Sequence, residues 1–433
     1  MIFSNLSQFR QAVYNRLGNG RDAIFDLMDA VLTTVCISSF VHLSQSPLFR
    51  RQWPSVYEAL EDSRPQSQEI VEQLASQVPS SQMCVFAVDH TDYPRPEAKT
   101  LKDRMMVHQA EVITSKAPIT IGYDYSTISW IPPGGGSWAL PLLHERISSF
   151  ETPTSQAIAQ VKTVIPLLDT KQVLVLFDAE YGNAKLVEGL VDSPVSLLAR
   201  LRPNRCVYGE PLPYSGKGRP RKHGHKFKLK DSSTWPPVDE RQQWITDEGE
   251  TVEACCWHGY HFRQSADCSM SIIRIEVLST GNSRRRPSKA LWLMWRGPVM
   301  PTLPELRCFY HQRFQIDHWN RFMKQRLHWT IPKLGTPEQL QAWSDLMPLM
   351  SWQLWLARDA VNDNPLPWQK PQSELTPGRV AQGFAAILAA IGSPACNPKP
   401  RGKSPGWPSG KPRQPRTRYP MVKKHASRKK KQV

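Results

Sequence analysis

Two short apolar runs, each closed by an aspartate, constrain this chain more than any other feature. MCVFAVD (83–89) and QVLVLFD (172–178) lack the alternation of a half-exposed strand, so they read as strands covered on both faces. A helical segment around SQAIAQVKTVIPLL precedes the second run, and PITIGYDYSTISWI (118–131) has strand composition with a glycine break before PPGGGS. Strands interleaved with helices predict an α/β core. Charge is costly inside such a core, so Asp89 and Asp178 should emerge at the sheet edge, facing a crevice. Aspartates in such positions also cap helices or anchor loops, and the pattern alone leaves both uses open.

The remaining chain divides around this core. Residues 1–78 read as helical, with Phe9, Val13, Leu17, Ile24, Leu27, Met28, Val31 and Leu32 at spacings of three and four; the unit either touches DNA or caps the main domain. Core strands and helices occupy 79–200, and short strands between polar turns make 201–300 a β-rich insertion. Helical periodicity returns over 301–395, from Pro304 to about Leu327, from Glu338 to about Val361 and around Val380 to Ile391. Residues 396–433 are rich in Pro, Gly, Lys and Arg and form a basic tail expected to be disordered. No internal repeat is evident. The eight scattered cysteines are no disulfide framework and fit a reducing cytosol. The early apolar stretch AIFDLMDAVLTTVCISSFVHL carries Asp26 and Asp29, which argues against a membrane span or signal peptide.

Charge points to a polyanionic partner. The net charge is +17, and 13 of the excess positive charges fall in 397–433, which contains no acid; such a tail supplies salt-dependent, sequence-independent affinity for nucleic acid. KGRPRKHGHKFKLK (217–230) adds seven Lys or Arg in 14 residues, making Arg219, Arg221 and Lys222 candidate DNA contacts. Its Gly218-Arg219-Pro220 core resembles one that lets an arginine lie in a narrow minor groove; a basic loop contacting phosphates alone is the plainer alternative.

Two or three carboxylates at one sheet edge suit a hard divalent cation and phosphate oxygens. Arg95, Lys99, Lys102 and Arg104 follow the first acid, Glu180 is a spare acid beside the second, and Gly182 permits a sharp turn there. A third acid comes from ELRCFYHQRFQIDHWNRFMKQRLHW, where Tyr310, Arg313, Asp317 and Lys324 are three, four and seven residues apart. On a helix they fall within roughly 60° of one another, while Phe309, Ile316, Met323 and Leu327 form a stripe that would pack on the core. A solvated charge ladder would give the same spacing.

With these residues in view, the chain resembles a transposase of bacterial insertion sequences in the DDE superfamily. Tyr310, Arg313, Asp317 and Lys324 reproduce the signature Tyr-x2-Arg-x3-Glu-x6-Lys, with Asp in place of Glu, and VFAVDHTDYPRPEAKTLKDR and VLVLFDAEYGN resemble the first and second acid motifs. The resemblance implies an RNase H-like catalytic core interrupted by the β-rich insertion. It implies Asp89, Asp178 and Asp317 as catalytic and metal-binding residues for Mg2+, with Mn2+ able to substitute, and Tyr310, Arg313 and Lys324 as DNA contacts. The activity implied is hydrolysis at transposon ends followed by strand transfer into target DNA. The implied partners are double-stranded terminal inverted repeats and target DNA, bound by a homodimer without membrane attachment, in the bacterial cytoplasm at the nucleoid. A repurposed DNA-binding descendant is the alternative, because Asp317 is one methylene shorter than Glu.

Two further signals have plainer explanations. Cys255, Cys256, His258, His261 and Cys268 lack ordinary zinc-ligand spacing. Trp292 and Trp295 could stack on a flipped base but fit core packing better.

Overall fold

The computed structural model describes residues 3–108, 119–134, 136–214, 216, 218–279, 289–400, 406, 409–412 and 414–423. The chain opens with five helices, α1 (Ser4–Arg16), α2 (Arg21–Thr33), α3 (Phe40–Leu43), α4 (Pro54–Asp62) and α5 (Ser67–Ala75). All eight periodic apolar residues named above are buried. The acids within this apolar stretch are buried in pairs. Arg10 donates to both oxygens of Asp29 at 2.8 and 2.9 Å, while Arg50, at 2.7 Å, and Arg51 engage Asp26. Such pairing offsets the cost of removing charge from water. Arg10 also reaches Gln353 at 2.5 Å, fastening the helical unit to the C-terminal half of the chain.

The central sheet is built from β1 (Ser81–Pro94), β2 (Met105–His108), β3 (Ile119–Ile131), β4 (Leu140–Ile147), then, after α6 (Pro153–Val164), β5 (Thr170–Phe177) and, after α7 (Ala184–Gly189), β6 (Ser196–Arg200). β1, β5 and β6 run parallel, and β3 is antiparallel to β1. Parallel neighbours require crossovers; the helix predicted around SQAIAQVKTVIPLL, α6, lies in the one from β1 to β5, and α7, which was not predicted, in the one from β5 to β6. β7 (Cys206–Tyr208) and β8 (Lys226–Lys228) form a separate pair. β9 (Glu240–Ile245), β10 (Thr251–Tyr260), β11 (Met270–Ser279) and β12 (Leu291–Arg296) form an antiparallel run. Because β12 pairs with β6, these strands continue the core sheet, which reaches ten strands in the order β2-β3-β1-β5-β6-β12-β11-β10-β9 with β4 paired to β3.

The chain closes with α8 (Leu303–Gln312), α9 (Phe314–Gln325), α10 (Pro337–Ser344), α11 (Leu346–Ala357) and α12 (Pro377–Ile391). α11 is buried along nearly its whole length, from Leu346 to Leu354, and its Trp352 donates to the carbonyl of Pro141 in β4 at 2.8 Å. The helix expected from 304 to 327 is interrupted at Arg313. There the Arg313 amide bonds to Tyr310 O at 3.2 Å and the Ile316 amide to Arg313 O at 3.1 Å, both tighter i to i−3 contacts that break the α-helical ladder. The expectation of a disordered tail also needs qualification. Within 414–423, the Tyr419 amide donates to Lys99 O at 2.9 Å and the Val422 amide to Arg104 O at 2.8 Å; 401–405 and 424–433 lie outside the described residues. Among the described residues no helix is long and apolar enough to cross a membrane.

Candidate active site

The parallel ladder of β1 and β5 fixes the first two acids. Its last pair is Val88↔Phe177, so Asp89 and Asp178 are the residues that immediately follow it in the two segments. The expectation that β1 ends at Asp89 is corrected: β1 keeps its antiparallel partner β3 to Pro94↔Gly122, and Asp89 lies opposite Thr127. Asp89 therefore sits where β1 parts from β5, an opening that the sheet itself creates. Asp178 begins a turn in which its Oδ1 accepts the Glu180 amide at 2.6 Å. Gly182 serves close approach here, since a Cβ would come within 2.3 Å of Arg200 O.

Asp89 is partly buried. Its pKa is pushed up to about 7, first by desolvation, then by the charges of Asp317 and Asp178, against the opposing effects of His90 and Arg313. Arg313 shows the converse. Burial disfavours its charge, but Asp317, Tyr310, Asp89 and Asp178 together raise its pKa above the ordinary arginine value. The three acids and Arg313 thus share one electrostatic neighbourhood, although they come from β1, the turn after β5, and the α8–α9 segment.

α9 brings in the third acid. Asp317 accepts from Arg313 Nη2 at 3.3 Å, and its side chain is 44% exposed. The other two members of the four-residue pattern are placed differently. Tyr310 is only 2% exposed, with its ring centroid 5.9 Å from the Arg313 guanidinium. Lys324 donates to the buried Asp92 at 2.9 Å. The packing stripe is present, with Ile316, Met323 and Leu327 buried and Phe309 half-buried.

Several site residues were not singled out from the sequence. Asn320, one turn beyond Asp317, donates from Nδ2 to Asp89 Oδ2 at 3.5 Å, while its Oδ1 is buried without a partner. The i+3 spacing from Asp317 was the available signal, but an uncharged amide among charged residues does not draw attention. His90 Nδ1 lies 3.1 Å from the Tyr181 hydroxyl. Desolvation, followed by Asp89, Asp178, Glu180 and Asp124, holds the Tyr181 pKa well above its usual value, so this phenol stays neutral.

The family model for DDE superfamily endonuclease matches residues 13–263, more than half of the 433-residue chain. This chain belongs to the DDE superfamily endonucleases. The matched stretch includes Asp89 and Asp178 and ends before α8 and α9. No curated protein matches the chain. Among solved structures it is similar to a piggyBac transposase synaptic complex with hairpin DNA, at 10% identity and a TM-score of 0.41, covering 87% of this chain and 74% of that one. That likeness is too loose to carry argument.

DDE superfamily endonucleases depend on divalent metal ions, and the donor chemistry here fits one. Hard cations take carboxylate and amide oxygens, which Asp89, Asp178, Asp317 and the orphaned Asn320 Oδ1 provide. Repulsion among the acids, visible at Asp89, is relieved by a cation. Among the described residues, however, no three His, Cys, Asp or Glu side chains are grouped closely enough to hold one ion; Asp317 is instead engaged by Arg313.

In this endonuclease the cations expected beside Asp89 are largely committed elsewhere. Arg95 and Arg104 are 5% and 3% exposed. Arg95 donates to Tyr93 and Pro332, and Arg104 to the carbonyls of Arg95 and Pro96, so both brace the loop after β1. Lys99 and Lys102 are exposed, as are Arg219, Arg221 and Lys222 between β7 and β8; Lys217 lies outside the described residues. Trp292 and Trp295 are each 4% exposed, and Trp292 stacks on Trp257 at 5.8 Å, which makes them core.

Proposed function

We propose that this endonuclease is the DNA transposase of an insertion-sequence element, with an RNase H-like core that hydrolyses the phosphodiester at the element's ends and transfers the freed strand to target DNA. The observation that carries this reading is the ladder register that sets Asp89 and Asp178 side by side just beyond Val88 and Phe177. The parallel β1, β5 and β6 and the convergence of α9 on the same edge support it.

Asp89, Asp178 and Asp317 would hold Mg2+ or Mn2+. A bound divalent ion would polarise the phosphate and lower the pKa of the attacking water or hydroxyl. Asp89 must be ionised for this role, and its near-neutral pKa ties that state to pH. Arg313, held in a largely buried position by Tyr310, Phe314 and Asp317, is preorganised to offset charge gathering on the scissile phosphate. Lys324 joins phosphate contact only on leaving Asp92. The exposed Arg219, Arg221 and Lys222 provide backbone contacts farther along the DNA. Holding two ends together calls for a DNA-bound homodimer.

The decisive assay is Mg2+-dependent cleavage and joining of DNA bearing the element's ends, comparing wild type with Asp89→Ala, Asp178→Ala, Asp317→Ala and Asp317→Glu. Loss of both steps in the first three variants is expected. Wild-type cleavage by Asp89→Ala overturns the site; nicked product without joining indicates a nuclease, and end binding without cutting indicates a repurposed descendant.

A further inference from the structure

The acids of this site leave one polar group unaccounted for. Asn320 is 9% exposed, projects from α9 beside Asp317 and touches Asp89 through its amide nitrogen at 3.5 Å. Its amide oxygen is buried and accepts nothing. Leaving a buried acceptor unsatisfied is costly, so a polar residue in this position calls for an explanation that packing does not supply. Elsewhere on α9, Trp319 Nε1 donates to Ser351 at 2.9 Å, Lys324 to Asp92, and Ile316 and Met323 fill the core; Gln315 Oε1 is also buried without a partner, but it is Asn320 that contacts Asp89.

We infer that Asn320 is a fourth member of the cation site, steadying Asp89 with its amide N–H while its Oδ1 serves as a neutral oxygen donor to the divalent ion. This inference rests on the reading of Asp89 as a metal-binding carboxylate. Two features favour a neutral donor at this position. Among the described residues no three acids are grouped closely enough to hold one ion, and an amide oxygen beside Asp89 adds a ligand without adding repulsion. Asp317 meanwhile divides its charge between the site and Arg313, 3.3 Å away, so a further oxygen from the same helix makes up the donor set. Asn320 lies one turn from Asp317, so a movement of α9 toward the sheet carries both oxygens together.

The test is Mn2+ binding to the full chain without DNA, followed by calorimetry and by loss of the free-ion electron paramagnetic resonance signal. Asn320→Ala is expected to weaken binding by about tenfold or more. Asn320→Asp, which restores an oxygen but removes the N–H, is expected to keep or tighten it. The near-isosteric Asn320→Leu, lacking both donor and acceptor, should match Asn320→Ala and serves if the cavity left by alanine impairs folding. Wild-type affinity in the alanine or leucine variant overturns the inference, as does an aspartate variant as weak as alanine, because then only the N–H matters. Asp89→Ala separates the two levels: if it also leaves Mn2+ binding intact, the site itself is misplaced; if it abolishes binding while Asn320→Ala and Asn320→Leu do not, only the role of Asn320 fails.

Discussion

Lys324 on α9 donates to Asp92 at 2.9 Å, and Asp92 lies on β1 three residues beyond Asp89. With the Asn320 contact, it fastens the helix carrying the third acid to the strand carrying the first. Asp92 is 6% exposed, so Lys324→Ala leaves a buried carboxylate uncompensated and should cost about 3–5 kcal/mol in urea denaturation. Lys324→Met combined with Asp92→Asn should recover most of that loss. Asp92→Asn alone releases the lysine and should strengthen DNA binding at low salt; unchanged affinity would mean that Lys324 does not reach phosphate.

Asp89 couples stability and activity to pH in opposite directions. Its pKa lies at about 7 against an ordinary 3.8, so the folded chain holds the proton more tightly than the unfolded chain. The stabilising contribution is complete below 3.8 and is lost as pH rises to about 7. Cleavage needs the ionised carboxylate, which a bound divalent ion also favours, so its rise with pH should move to lower pH as Mg2+ is increased. Asp89→Asn should abolish cleavage yet melt higher than wild type at pH 8, with little advantage at pH 3.5; melting curves at the two pH values check this.

The sequence reveals the parts of this site that depend on local pattern. The continuous apolar runs before Asp89 and Asp178 mark β1 and β5, and the i, i+3, i+4 stripe marks the helical region around Asp317. What it hides is set by pairing between distant segments. β1 runs on through polar HTDYP because β3 supplies hydrogen bonds as far as Gly122. The β-rich segment joins the core sheet through β12 and β6, a non-local ladder that no residue pattern specifies. Arg95 and Arg104 read as free cations until Pro332, Pro96 and the Arg95 carbonyl are brought near them.

The exposed basic loop should act through counterion release. If Arg219, Arg221 and Lys222 each neutralise one phosphate, replacing all three by alanine should reduce the slope of log affinity against log salt by up to about 3. Fluorescence anisotropy from 50 to 200 mM salt measures the slope. Cleavage of saturated DNA should change little, because these residues lie between β7 and β8, in a different segment from β1, β5 and α9, around which the acids are placed. A parallel loss of cleavage at saturation would place the loop at the scissile bond.

The segment 414–423 lies along the loop that follows β1. Two backbone hydrogen bonds, from Tyr419 to Lys99 and from Val422 to Arg104, hold it there, and Lys102 Nζ lies 5.5 Å from the Tyr419 ring centroid. Net hydrogen-bond contributions of about 1 kcal/mol each make this a local brace rather than a determinant of the fold. Deleting 414–433 should therefore lower global stability by no more than about 3 kcal/mol while exposing Lys99 and Lys102 to trypsin. Tyr419→Ala keeps both backbone bonds and should show only a small increase in cleavage there. Deleting 424–433 alone should leave protection at full-length level, because both contacts lie upstream; mass spectrometry of timed digests distinguishes the three variants, and equal cleavage in the two deletions would remove Tyr419 and Val422 as the source of protection.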